Sequence, residues 1–188
     1  LLEAIRYMNA RVDVGLLTPA VFNMDGTRQH LCKRNPTLFI MFLRSLELSP
    51  LRSFFKSLMD RFEMMDCNYG EEIRSVSYPT GCFMFFRTDS LRRVGGFDPK
   101  IFLHYEDADI GRRLLAIAEV NYVPAVSVTH LWARATHKSW RAKLVTAKSG
   151  WYYFRKWGGI FSDRAWSRCS APLRNAQAMS TNGPAVGR

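Results

Sequence analysis

The sequence predicts an α/β domain with a helical insertion, and three features carry that prediction. A helical opening, LLEAIRYMNA, runs into an unbroken apolar stretch from Val14 to Val21 that reads as a buried strand. Two further strand patterns, Cys82 to Arg87 and Val126 to His130, are separated by segments of helical period. Between the first and second strands, Pro36 to Met65 repeats its apolar residues at helical rather than strand spacing.

In chain order, Asp25-Gly26 marks a turn after the first strand. The insertion divides into two short helices, LFIMFLRSLEL and SPLRSFFKSLMDRFEM, with Ser49-Pro50 as the start signal of the second. After the second strand, Thr88 or Asp89 is expected to cap a short helix that Gly95 ends. A helix from about Glu106 to Ala118 precedes the third strand, and an amphipathic helix spans Lys138 to Trp157. Residues 160–188 form a tail that is small and polar from about Ser170 and is expected to be disordered from there.

A chain of 188 residues with 47% hydrophobic content suits one domain with a core of its own. Cys32, Cys67, Cys82 and Cys169 show neither C-x-x-C spacing nor a nearby His at zinc-site spacing, so no disulfide framework or structural metal is indicated and a reducing cytoplasm is expected. The sequence holds no apolar run of about 18 residues. A formal charge of +11 calls for an acidic partner. Dispersed basic residues and the absence of nucleic-acid-binding motifs argue against nucleic acid and favour an anionic membrane surface.

The stretch GGFDPKIFLHYEDADIGRRL places Glu106, Asp107 and Asp109 at the start of an otherwise basic, apolar helix. All three suit the positive end of the helix dipole, and Asp109 can pair with Arg113 at i, i+4. Helical periodicity puts Asp107 on the face of Ile110 and Leu114, and Asp109 on the opposite side near Arg112 and Arg113. An inward Asp107 needs a partner or a cavity. A carboxylate at a cleft wall is what a reaction needing a general base would use.

The order TGCFMFFRTDSLRRVGGFDPKIFLHYEDADIGRRL, then VPAVSVTHLW, then SGWYYFRKWG, resembles the second half of the catalytic domain of family 2 inverting glycosyltransferases, particularly the bacterial rhamnosyltransferase-like branch. The segment VGLLTPAVFNMDGTRQHLCKRNPTL is similar to the family's connector after the nucleotide-binding half. The resemblance implies a partial GT-A-type domain over residues 1–159, with 36–65 as the helical insertion. It also implies that the N-terminal nucleotide-binding half and its D-x-D metal motif are missing, so that the chain is an inactive fragment. The textual D-x-D formed by Asp107 and Asp109 opens a helix instead of closing an apolar strand, and is not that motif.

What the resemblance implies for function is transfer of a sugar, with rhamnose a candidate, from a nucleotide-diphosphate sugar to a saccharide or lipid-linked acceptor in cell-wall or polysaccharide synthesis. Asp107 would be the base and Glu106 would orient it or the acceptor. A divalent cation, Mg²⁺ or Mn²⁺, would serve the intact enzyme, with His130 near the diphosphate and its metal. The enzyme would be cytoplasmic and peripheral at the inner face of the plasma membrane.

Other residues carry paired readings. His130 could ligate a divalent ion or donate to phosphate, or be a satisfied histidine at a sheet edge. Arg134, His137 and Lys138 could hold phosphate oxygens or be solvated, and HLWARATHKS departs from the family's commoner glycine-rich loop. Trp151 and its aromatic neighbours could stack on a sugar ring or be core. Gly81, before Cys82, could admit a ligand close to the backbone or simply follow the turn at Tyr78-Pro79-Thr80. The phenylalanine-rich insertion, flanked by Arg44, Arg52, Lys56 and Arg61, fits an interfacial helix pair on anionic lipid or an amphipathic hairpin packed on the sheet. An alternative of another class is a non-catalytic basic module for acidic polymers or membranes, with Glu106 and Asp107 as helix caps only. The discriminating feature is whether Asp107 faces an open groove shared with His130 and Trp151 or is buried by Arg contacts.

Overall fold

The computed structural model describes residues 1–45, 53–131 and 140–159. Its spine is β1 (Val14–Phe22), whose apolar run is buried along almost its whole length. On one side β1 pairs in parallel with β4 (Glu119–Thr129). On the other it pairs antiparallel with β2 (Arg28–Gln29) near its end and with β3 (Phe85–Phe86) nearer its start. The result is a small mixed sheet of α/β character.

Helices close both faces of the sheet. Helix α1 (Leu2–Ala10) sets Ala4 and Met8 against Val14, Leu17, Val123 and Val126. The acid-tipped helix, α5 (Glu106–Leu115), buries Ile110 and Leu114 against Leu16, Ala20, Val120 and Tyr122 on the other face. By the transfer scale, each such side chain contributes about 1.5–3 kcal/mol, with the larger aliphatics at the top.

Three boundaries differ from expectation, each for a local reason. The third strand begins at Glu119 instead of Val126, because its register with β1 slips between Val123 and Ser127 and Pro124 falls inside that irregularity. A proline there interrupts the sequence pattern without ending the strand. The second strand contracts to Phe85–Phe86, the two residues opposite Leu17 and Leu16. Helix α4 (Thr88–Arg93) starts after Arg87 and has no side-chain cap, which corrects the Thr88 or Asp89 assignment. Its end matches the expectation: Gly95 and Gly96 both take positive φ, and their N–H groups return to Arg92 and Leu91.

The insertion supplies α2 (Leu38–Ser45) and α3 (Lys56–Phe62), which join through Ile40, Leu43, Met59 and Phe62. Met41 and Tyr78 connect this cluster to a second one of Ile101, Tyr105, Ala108 and Tyr153. Its inner face is therefore packed, while Phe42 and Phe54 are exposed. Cys32 and Cys82 are free thiols, whereas Cys67 is disulfide-bonded, which the cysteine spacing did not indicate. Ser49-Pro50, Arg52, Cys169 and the tail from residue 160 lie outside the described residues.

The helix α6 (Trp140–Trp157) is tied to α5 by one buried carboxylate. Asp109 is 0% exposed and accepts from Arg113 Nε at 2.8 Å and from Trp157 Nε1 at 2.8 Å, with Lys156 Nζ also at 2.8 Å. Arg113 in turn donates to the carbonyls of Val94 and Gly96, both at 2.6 Å, and Lys156 reaches Asp98 at 3.1 Å. The V-G-G-F-D turn, α5 and α6 thus form one unit. Asp109 pairs with Arg113 as its i, i+4 spacing suggests, but its side of the helix is not solvent-facing, because α6 covers it.

Gly111 sets how closely α5 approaches the 77–79 segment. A Cβ there would lie 2.6 Å from Ser77 O and 2.6 Å from Pro79 Cδ. Helix propensity alone favours Gly111→Ala by about 1 kcal/mol; the clash with backbone reverses the sign. Chemical denaturation should show Gly111→Ala destabilised by about 3 kcal/mol, the upper end of ordinary overpacking, and a neutral or stabilising result would contradict this close approach.

Candidate active site at the tip of helix α5

The short turn 116–118 returns the chain from α5 into β4, so the N-terminal tip of α5 lies toward the C-terminal ends of the parallel strands β4 and β1. That end of an α/β sheet is where ligand crevices form. Glu106 and Asp107 are the first two residues of the helix there.

Asp107 is partly buried, and backbone alone holds its carboxylate. Oδ2 accepts from Gly81 N at 3.1 Å, and Oδ1 accepts from Ala108 N at 3.0 Å. Gly81 occupies this place because the 77–79 segment is clamped on α5 at Gly111; a Cβ on Gly81 would sit 3.4 Å from Asp107 Oδ2. No Arg–Asp107 ion pair occurs among the described residues. Burial, followed by the neighbouring charge of Glu106, pushes the Asp107 carboxyl up to about 7, against the opposing pull of Lys33 and the two N–H groups. Glu106 is also raised, chiefly by burial, and its Oε2 is buried with no hydrogen-bond partner among the described residues.

Three residues that sequence reasoning missed complete this wall of the site. Lys33 and Tyr78 exchange both backbone hydrogen bonds at 3.0 Å, and the Lys33 ammonium lies 5.1 Å from the Tyr78 ring centroid. The Tyr78 hydroxyl donates to His104 O at 2.6 Å, and burial raises its pKa well above the usual phenol value. Arg44, from α2, sits over Phe62 at 5.6 Å and pairs with Glu63 at 3.2 Å. Phe62 itself packs on Tyr78, with ring centroids 6.5 Å apart. The only signal for Lys33 lay in its place within the connector KRNPTL, since its partner Tyr78 is remote in sequence.

The other expected site residues fall as follows. Cys82 follows Gly81 as a half-buried thiol whose pKa burial raises. His130 directly follows β4, with its N–H on Phe22 O at 3.0 Å and its carbonyl accepting from Gln29 at 3.3 Å; its Nδ1 is buried without a partner among the described residues. None of its hydrogen bonds there links His130 to the carboxylate pair. Trp151 is 67% exposed on α6, away from the Tyr105, Tyr153 and Phe154 stack. Lys138, with Arg134 and His137, lies outside the described residues. Among the described residues no group of His, Cys, Asp or Glu converges as a metal-binding set. His130 offers a single imidazole, which does not by itself fit a divalent ion that takes several ligands.

Two Mycobacterium tuberculosis proteins, from strains CDC 1551 / Oshkosh and ATCC 25618 / H37Rv, are similar to this chain. Each is named N-acetylglucosaminyl-diphospho-decaprenol L-rhamnosyltransferase and is 33% identical over 91 residues, covering 42% of this chain. The chain's match spans 30% of the length of these relatives. No protein-family profile matches the chain, and no solved structure does. The similarity supports a glycosyltransferase-like relationship.

The Asp107 carboxyl should titrate near pH 7 in carbon-detected NMR, far above the ordinary 3.8. Because the folded value is the higher one, the stability it contributes is full below about pH 4 and is lost as pH rises to about 7, at about 1.4 kcal/mol for each pH step between those limits. Lys33→Met should move the midpoint higher still. A midpoint near the ordinary value would contradict the burial described.

Proposed function

We propose that this chain is the acceptor-side part of a GT-A-type, family 2 inverting glycosyltransferase, with Asp107 as its general base. The observation that carries the reading is the Asp107 environment: a partly buried carboxylate at a helix tip, oriented by two backbone N–H groups, with burial raising its pKa to about 7. A base works best with a pKa near the operating pH. The relatives' name, which gives a rhamnosyl group and a diphospho-decaprenol-linked acceptor, supports a rhamnose donor and a lipid-linked acceptor here.

In this mechanism the acceptor hydroxyl approaches Asp107 and attacks the anomeric carbon in line. The new carbon–oxygen bond forms as the bond to the nucleotide diphosphate breaks, the hydroxyl proton passes to an Asp107 oxygen, and the anomeric configuration inverts. Gly81 N and Ala108 N fix the carboxylate during transfer. Glu106, at the same helix tip, keeps Asp107 basic through its charge.

The insertion suits a lipid-linked acceptor. Its inner face is packed, and its exposed Phe42 lies on α2 while exposed Phe54 precedes α3, which carries Lys56 and Arg61. No described helix is long and apolar enough to cross a membrane, so the contact proposed is interfacial.

In a protein that includes the nucleotide-binding half, Asp107→Asn should lower kcat by about 10²- to 10⁴-fold, the usual worth of a positioned base. Turnover equal to wild type would remove Asp107 from the mechanism. For the membrane contact, co-sedimentation with liposomes should require acidic lipid, fade with salt, and weaken in Phe42→Ser/Phe54→Ser. Equal binding to neutral vesicles would identify the insertion as a packing element alone.

A further inference from the structure

Among the described residues, the Lys33 ammonium has no carboxylate within ion-pair distance, although it lies near enough to Asp107 for their charges to interact. Asp107 spends both oxygens on backbone N–H groups, and Glu106 Oε2 is without a partner. The hydrogen bond from Lys33 Nζ goes to Leu31 O at a long 3.4 Å. An ammonium carries three donors, so most of this partly buried group's capacity is not used by protein acceptors. Burial, with Arg44 next, lowers its pKa.

The site around Lys33 is built and rigid. Two backbone hydrogen bonds to Tyr78 fix its Cα position, and its neighbour Arg34 is buried, paired bidentately with Asp66 at 2.8 Å and hydrogen-bonded to the Arg61 carbonyl. The Tyr78 ring forms the floor beneath the ammonium. Phe62 packs edge-on against that ring and carries the Arg44 guanidinium.

We propose that Lys33 binds a phosphate oxygen of a diphosphate-bearing substrate beside Asp107. A phosphate supplies several acceptor oxygens to an under-used ammonium and matches its charge, as a sugar hydroxyl does not. The diphosphate could belong to a lipid-linked acceptor or to a nucleotide. The inference rests on the glycosyltransferase reading for the identity of the substrate, but the anion site itself does not require transfer to occur.

The test titrates the 188-residue chain with pyrophosphate, by calorimetry and by chemical-shift perturbation. Wild type should bind, Lys33→Met and Lys33→Gln should each lose at least about tenfold in affinity, and Lys33→Arg should retain most of it. Two neutral replacements guard against one that fails to fold, and thermal melts identify it. Lys148→Met, on the exposed side of α6, serves as the control that leaves affinity unchanged. Tighter Lys33-dependent binding of farnesyl diphosphate than of uridine diphosphate would assign the lipid-linked source, and the reverse order the nucleotide. No binding by wild type, or unchanged binding in the folded neutral variants, would overturn the proposal. Either outcome is independent of Asp107: full turnover by Asp107→Asn would remove the base while leaving the anion site intact.

Discussion

The buried Asp109 carboxylate is the interaction on which the rest of the site depends. It is fully enclosed and takes Arg113 from its own helix and Lys156 and Trp157 from α6. Removing one member of a buried charge cluster costs about 3–5 kcal/mol, because the remaining charges are left uncompensated. Arg113 extends the cluster to the Val94 and Gly96 carbonyls, and Lys156 extends it to Asp98. One carboxylate therefore fixes the glycine turn, the helix tip and the final helix relative to one another.

The same helix presents a second carboxylate with the opposite design. Asp107 is two residues away but, among the described residues, has no cation in ion-pair contact and only backbone N–H donors, so burial and Glu106 raise its pKa where cationic partners would have lowered it. Holding an acid in that state requires that the nearby cation be kept at a distance. The Lys33–Tyr78 pairing does this, by seating the ammonium over an aromatic ring. The helix thus separates an ion-paired acid from an unpaired one: α6 covers Asp109, while backbone N–H groups alone hold Asp107.

How much of this was legible in the sequence follows the range of the interactions. The run Val14 to Val21 was readable as β1 because a strand buried on both faces shows an unbroken apolar pattern. The Asp109–Arg113 pair was readable because both lie on one helix. Its partner Trp157 was not, since it comes from 48 positions away. The first half of β4 was hidden by Pro124 and the register slip, and β2 is too short to leave any period. Glu106 and Asp107 were picked out by their position in a basic helix. Beyond its place in the connector KRNPTL, Lys33 carried no signal, because its setting depends on Tyr78, Phe62 and α2, which only the tertiary fold brings together. Trp151 shows the converse: an aromatic residue in an aromatic run, yet exposed.

Two acids on one helix turn have opposite energetic roles, and that division is the central claim. The most direct measurement is the unfolding free energy of Asp109→Asn and Asp107→Asn at pH 8, side by side with wild type. Loss of the buried cluster should destabilise Asp109→Asn by about 3–5 kcal/mol. Neutralising a carboxylate that ionises only at a cost should leave Asp107→Asn as stable as wild type or more so. Two variants destabilised alike would show that Asp107, too, is a structural charge, and would contradict the division of roles.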